Sequence, residues 1–470
     1  MSTPRWTAAL ALLTAVAPLA VNAAGADGSW TWCAAPARLQ PIWWGRTWHV
    51  ATWGTDPWSC PSSAGYTFRT IPAAVKCAWG GDTLLVHNGT YGPFTLINKW
   101  QNDDILITNA PGESPVIDGW SGVGDYQSIV GLWNVSHIAI QGLTIQNTGV
   151  PDAEHGGYGI KVNSASNVKV YFNTIRNTAR HGVMLEGNSM ELVGNDIGNT
   201  SMRNQWRSSD WWDASFANSG SIKQWGLKVV GNDIHDSWGE CLDIINVSGA
   251  TVEGNRVHNC YSAHVYVSNS ESVTLNRNYV YANNDNYTPW GQYRPIGIGI
   301  ANEGTTTGFT AQNIRVTNNI VEGTGQAVRY WRSHSGTAIW DMYANVYVGF
   351  NTFNRTQTWP VRFDGPDGNP QGWNRFRRNL VINNSGWDYF STVNWTNWEV
   401  GSNYNYSWGT STTNPGVIYT GGGWPGAYQL RSDSAIRWSI PPWSESDAPS
   451  QDYYCQNRNL GEWSYGGALR

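Results

Sequence analysis

The chain has 470 residues and a formal net charge of −5, with only 13% charged residues against 52 Gly, 30 Trp and 22 Tyr. That length allows a large core and more than one domain. The weak negative balance excludes a surface that coats a polyanion, and low charge with many Gly and aromatic residues suits an extracellular β-rich protein.

In chain order, residues 1–24 read as a secretory signal. A short n-region carries Arg5, an apolar run follows from Ala8 to Val21, and the small-residue site "VNA" closes it. The run is short for a membrane anchor and Pro18 breaks it. The mature protein is therefore expected to be secreted and soluble, with no membrane or nucleic-acid partner. Residues 25–65 form a Trp- and Cys-rich segment ("SWTWC", "PIWWGRTW") whose rings are expected to bury against one another. Six cysteines in an exported chain predict disulfides, and Cys33–Cys60 and Cys241–Cys260 are the local candidates. The absence of a CxxC pair argues against a thiolate zinc site.

Residues 66–400 carry a repeat. Asn followed two residues on by Ile, Val, Phe or a similar residue occurs at Asn173, Asn195, Asn232, Asn255, Asn278, Asn351 and Asn379, with Asn319 a looser member. Asn173 and Asn195 are 22 residues apart, and Asn232, Asn255 and Asn278 follow at intervals of 23. Short alternating stretches precede them, such as "GIKVNS", "CLDIIN" and "HVYVSN". Alternation with period two and a repeat of this length predict a stack of β-coils. A corner Asn, tolerant of left-handed backbone, can then bond the Asn above and below as a ladder. The interval is one circuit of a solenoid. Residues 401–470 read as a Trp- and Gly-rich closing segment.

The segments "YTFRTIPAAVKCAWGGDTLLVHNGTY" (66–91) and "ILITNAPGESPVIDG" (105–119) resemble the entry coils of the pectate-lyase-like superfamily, and "QDYYCQNRNLGEWSYGGALR" (451–470) is similar to its closing segment. The resemblance implies an all-β chain: a right-handed parallel β-helix with an N-terminal capping helix and long loop insertions. It implies no single activity, because that superfamily holds lyases, hydrolases, epimerases and binding proteins. Such rods are expected to be monomers.

With Ile160/Val162, Val183/Leu185, Leu242/Ile244 and Val265/Val267 facing inward, two outward rows can be read. One runs Lys161, Met184, Asp243, Tyr266, Gly299, Arg329, Arg362, and the other Asn163, Glu186, Ile245, Ser268, Ala301, Trp331, Asp364. His181, Glu240 and His264 lie near the strand starts. An acidic polysaccharide along such a face needs a base and an acid at one glycosidic bond, cations for its carboxylates and aromatic faces for its rings. His264, Tyr266 and Lys161 are the candidate acid–base groups, with Asp243 and Arg329 beside them. Arg362, Asp364, Trp331, Trp211 and Trp212 are candidate substrate-binding residues, and Glu186 and Glu240 candidate ligands for Ca²⁺. The leading expectation is a polysaccharide lyase working by β-elimination on a uronate-containing glycan. A glycoside hydrolase would instead use Asp243 with Glu186, Glu240 or Asp364, and an adhesion solenoid would use the aromatics alone.

Overall fold

The computed structural model describes residues 36–406 except 121–122, 125, 150–155, 207–212, 219–221, 290–292, 304–308, 333–342, 364–373, 383–389, 393–397 and 402–403, and beyond 406 only 417–418, 429–430 and 451. The signal segment and most of the closing segment lie outside these residues.

Val, Ile and Leu alternate through short strands that pair in parallel from coil to coil, so the chain is a parallel β-helix with three faces. The first face includes the strands Ser128–Trp133, Val183–Asn188, Ala214–Asn218, Glu240–Ile245, Val265–Ser268, Ile298–Asn302, Val328–Arg332 and Val361–Phe363. The second includes Met190–Val193, Gln224–Val230, Val247–Glu253 and Glu271–Asn276. The third is a twelve-stranded stack running from Thr90–Tyr91 to Tyr404–Tyr406. The strand Tyr158–Tyr171 turns the corner between the first two faces, its halves pairing with different neighbours. Ile160, Val162, Val183, Leu185, Leu242, Ile244, Val265 and Val267 all lie in one buried core.

The Asn repeat forms the predicted ladder at the corner between the second and third faces. Each Nδ2 from Asn173 through Asn195, Asn232, Asn255, Asn278, Asn319 and Asn351 donates to the next Asn Oδ1, ending at Asn379, over 2.9–3.1 Å. Each amide also donates to a backbone carbonyl of the preceding coil at 2.8–3.0 Å. Asn319 is a full member. The left-handed backbone, however, belongs to the residue before each ladder Asn: Phe172, Gly194, Gly231, Gly254, Arg277, Asn318, Phe350 and Arg378. The ladder Asn is selected for its amide, and the tight turn falls to its neighbour, where Gly stands in three coils.

At the N-terminal end, Thr47–Val50 already pairs with Thr83–Val86, so the sheet begins inside the segment 25–65. Thr70 Oγ1 accepts from Ala73 N and Pro72 stands in the first turn of the helix Ile71–Cys77, an ordinary helix start. That helix packs on Thr47–Val50 and Thr83–Val86. Cys241 pairs with Cys260 as expected. Cys60, in contrast, pairs with Cys77 at the end of the helix rather than with Cys33, because the helix end folds back against the Cys60 loop. Cys33 and Cys455 are outside the described residues.

The N-terminal tryptophans also depart from expectation. Trp48 is buried, but Trp43, Trp44, Trp53 and Trp58 are exposed. The coil has room inside only for the residue that alternates inward, and the others stand on loops.

Candidate functional site

The first face carries the predicted row. Parallel register places Lys161 beside Met184, Met184 beside Ala217, Ala217 beside Asp243, then Tyr266, Gly299, Arg329 and Arg362 in succession. Ala217 is the member that sequence alignment skipped, since its coil is hidden between insertions. Ser268, Ala301 and Trp331 likewise succeed one another in the second row. Asp364, Trp211 and Trp212 lie outside the described residues.

A cavity of about 540 Å³ opens over this face. Its lining includes Glu240, Tyr261, Arg294, Arg329, Trp331, Trp359 and Arg362. Arg329 and Arg362 stand one coil apart, about 4.8 Å. The Arg329 guanidinium lies 5.9 Å from the Trp331 ring centre and that of Arg362 4.6 Å from Trp359. The Trp331 ring stacks on Tyr266 at 5.5 Å and 15°. Gly299 makes this possible: a Cβ there would fall 2.6 Å from a Trp331 ring carbon. Glu303 accepts hydrogen bonds from both Tyr266 OH and Trp331 Nε1, which fixes the two rings.

At the other end of the cavity, Glu240 meets Asp243. Asp243 is buried with Oδ1 unpartnered, and burial, followed by the charge of Glu240, raises its carboxyl well above the usual range. Asp243 is thereby favoured in its protonated form beside the half-buried Glu240. Asp213, missed in the sequence because its neighbours form an insertion, adds to that field. It is gripped by Arg203 at 2.9 Å and Arg180 at 3.7 Å and lies 3.3 Å from His181 Nε2.

Other sequence candidates do not meet here. His264 is fully buried just before the strand Val265–Ser268, its Nδ1 3.0 Å from the Ile296 carbonyl oxygen. Burial pushes its pKa down to about 4, so it is a neutral core imidazole and not a groove base. Tyr266 does face outward, but burial and Glu303 raise its pKa, so its proton stays on the oxygen and it cannot serve as a ready base. Lys161 is six coils from Arg329 by register, about 29 Å, and the two cannot act on one bond. It lies instead against Tyr158 and Trp133 at 4.4 and 5.6 Å. Glu186 accepts from Asn163 Nδ2 at 2.8 Å. Leu185, the residue before Glu186, pairs with Asn218, four residues past the Ala214 that pairs with Glu240, so Glu186 and Glu240 lie two coils and several residues apart and cannot share a Ca²⁺. Among the described residues no three His, Cys, Asp or Glu groups converge as a metal site.

Residues 158–353 match the family model of the right-handed β-helix region, which gives the hand of the coil. The crystal structure of pectate lyase Pel9A is 15% identical with a TM-score of 0.51, over 90% of this chain and 96% of that one. PfbA, a surface adhesin of Streptococcus pneumoniae, is 12% identical with a TM-score of 0.50, over 72% and 85% of the respective chains. These likenesses are of fold. An uncharacterized protein of Bacillus subtilis (strain 168), YwoF, is 35% identical over 115 residues, which is 23% of this chain and 24% of that relative's length.

Proposed function

We propose that this right-handed parallel β-helix protein is a secreted carbohydrate-active enzyme, a polysaccharide lyase that cleaves an acidic, uronate-containing glycan. The observation that carries the reading is the pair Arg329 and Arg362, one coil apart in a cavity that also holds Trp331, Trp359 and Glu240. Two guanidinium groups in one cavity suit a sugar carboxylate, and the neighbouring rings suit sugar C–H faces. The disulfides support an oxidising, extracellular setting.

In β-elimination the proton alpha to the uronate carboxylate becomes removable once that carboxylate is neutralised. Arg329 and Arg362 neutralise it here. Glu240 takes the C5 proton, the C–H electrons form the C4–C5 double bond, the bond to the leaving oxygen breaks, and the proton passes to that oxygen. Asp243 keeps its own proton against Glu240 and limits the charge at the pair. The steps written here use this chain's own side chains. Glu240 and Arg329 line the same cavity from three coils and three residues apart, about 17 Å between backbones, so the substrate must lie between them.

A second reading, hydrolysis, is favoured by one observation, the contact of buried Asp243 with Glu240, where burial and the neighbouring charge raise the Asp243 carboxyl and help keep a carboxylic acid available. Purified protein should be assayed on uronate-containing and neutral glycans. A lyase releases an unsaturated product with ultraviolet absorbance, a hydrolase gives reducing ends without it, and an adhesin gives neither. Arg329→Ala and Glu240→Gln should each lower turnover of the acidic glycan at least a hundredfold. Wild-type protein with no ultraviolet-absorbing product on any uronate glycan overturns the lyase reading.

A further inference from the structure

We propose that the N-terminal end of the solenoid carries a second glycan-binding surface, in which Trp43, Trp44, Trp79 and Trp100 receive the C–H faces of an uncharged polysaccharide chain. These rings are 94%, 50%, 67% and 54% exposed. Large exposed aromatic groups scattered singly need no account, but several gathered on one patch mark a recognition surface.

Trp44 and the segment carrying Trp100 border one turn, Trp79 to Asp82, and Trp43 adjoins Trp44 in the chain. The Trp44 ring lies across Gly81, where a Cβ would fall 2.3 Å from two of its carbons; only Gly lets the ring lie flat there. Lys99 Nζ donates to the Ala78 carbonyl at 2.7 Å and stands 5.7 Å from the Trp79 ring centre, which brings its neighbour Trp100 to the same turn. Gly80 N donates to Gln101 Oε1 at 2.8 Å, a second tie between the two segments.

The turn is fixed before any ligand arrives. Buried Asp82 accepts from Trp79 N at 3.0 Å, Arg46 N at 2.9 Å, Trp48 Nε1 at 3.0 Å and the Arg46 guanidinium at 2.7 Å. A rigid platform loses little conformational entropy on binding, so the ring faces keep most of their stacking energy. The charge state selects the ligand. Arg46 is spent on Asp82, Lys99 on a backbone carbonyl, and Asp104 on Lys169 at 2.6 Å. The patch therefore presents apolar ring faces with Arg46 and Lys99 engaged and the exposed Asp103 beside Gly80, which suits an uncharged chain better than a carboxylate-bearing one. A neutral glycan fits here and an acidic one fits the Arg329 and Arg362 cavity.

The test uses the full chain, with insoluble cellulose in a depletion assay and hydroxyethylcellulose in affinity electrophoresis. Wild-type protein should bind both. Trp79→Ala with Trp100→Ala should weaken binding about tenfold or more, at about three- to tenfold per ring. Trp79→Phe should retain part of the affinity, and Arg329→Ala should bind like wild type. The proposal is overturned if wild-type protein binds neither probe or if the double variant binds equally well. It is also overturned if light scattering shows a dimer that the double variant breaks, or if the double variant melts several degrees lower, since the rings would then serve packing. Activity on acidic glycans does not enter these readouts, so the two proposals fail separately.

Discussion

Asn255→Ala tests the ladder directly. The Asn255 amide donates to Asn278 Oδ1 and to the Val229 carbonyl, each at 2.9 Å, and its Oδ1 accepts from the Asn232 backbone N and Nδ2, also at 2.9 Å. The residue is 1% exposed, so water cannot replace these partners. Four bonds at a net of about 1 kcal/mol each, with two Asn232 donors left unsatisfied, give an expected loss of about 4–5 kcal/mol. That is a large share of a typical total of about 5–15 kcal/mol. Urea unfolding followed by circular dichroism should show a lower midpoint with the slope little changed. The end of the ladder supplies an internal comparison. Asn173 Oδ1 accepts only from Leu143 N, and Leu143 stands where a further Asn would be. An apolar residue is thus tolerated where no Asn in the next coil back asks for its oxygen, and Asn173→Ala should cost about 1 kcal/mol less than Asn255→Ala. A loss below about 1 kcal/mol for Asn255→Ala, or equal losses at every ladder position including both ends, would refute the accounting.

Three further outcomes follow from the same geometry. Asp243 has a raised pKa in the folded protein, so its contribution to stability is full below the ordinary carboxylate range and is lost as pH rises through the raised value; Asp243→Asn should flatten that loss in melting temperature measured against rising pH. His235 is pushed up to about 9, because the carboxylates of Asp196 and Asp236 outweigh the cost of burying its charge. Its stabilisation is complete below about 6.5 and lost between there and about 9, so His235→Gln should remove a fall in melting temperature over that window, read at pH 6 and pH 9.5. Replacing Cys241 and Cys260 by Ala opens a link between residues 19 apart and should cost about 3 kcal/mol, measured by the same urea titration.

Much of the site was legible because a solenoid converts sequence period into spatial rows. Once the inward positions Ile160, Val183, Leu242 and Val265 are known, the row from Lys161 to Arg362 follows by register alone. What sequence could not supply is how far apart two members of a row stand, and which way a side chain at a strand start turns. Lys161 and Arg329 share a row yet are about 29 Å apart. His264 was read as a groove base because it shares the outward parity of Tyr266 two residues on, but it stands just before the strand Val265–Ser268, where the coil corner buries it. Glu303 and Asp213 escaped notice because each adjoins an insertion that interrupts the repeat.

By itself the sequence determined the parallel coil, its inward residues and the asparagine ladder, since each is a periodic demand that every circuit must meet: apolar groups inside, and a buried amide whose hydrogen bonds only another amide in the next coil can complete. Only the tertiary structure decided that Glu240 meets Asp243, that Trp331 folds over Gly299 onto Tyr266, and that the N-terminal tryptophans face solvent around a turn held by Asp82. Those contacts join residues from different coils or from loops outside the repeat, and no local period encodes the distance between them.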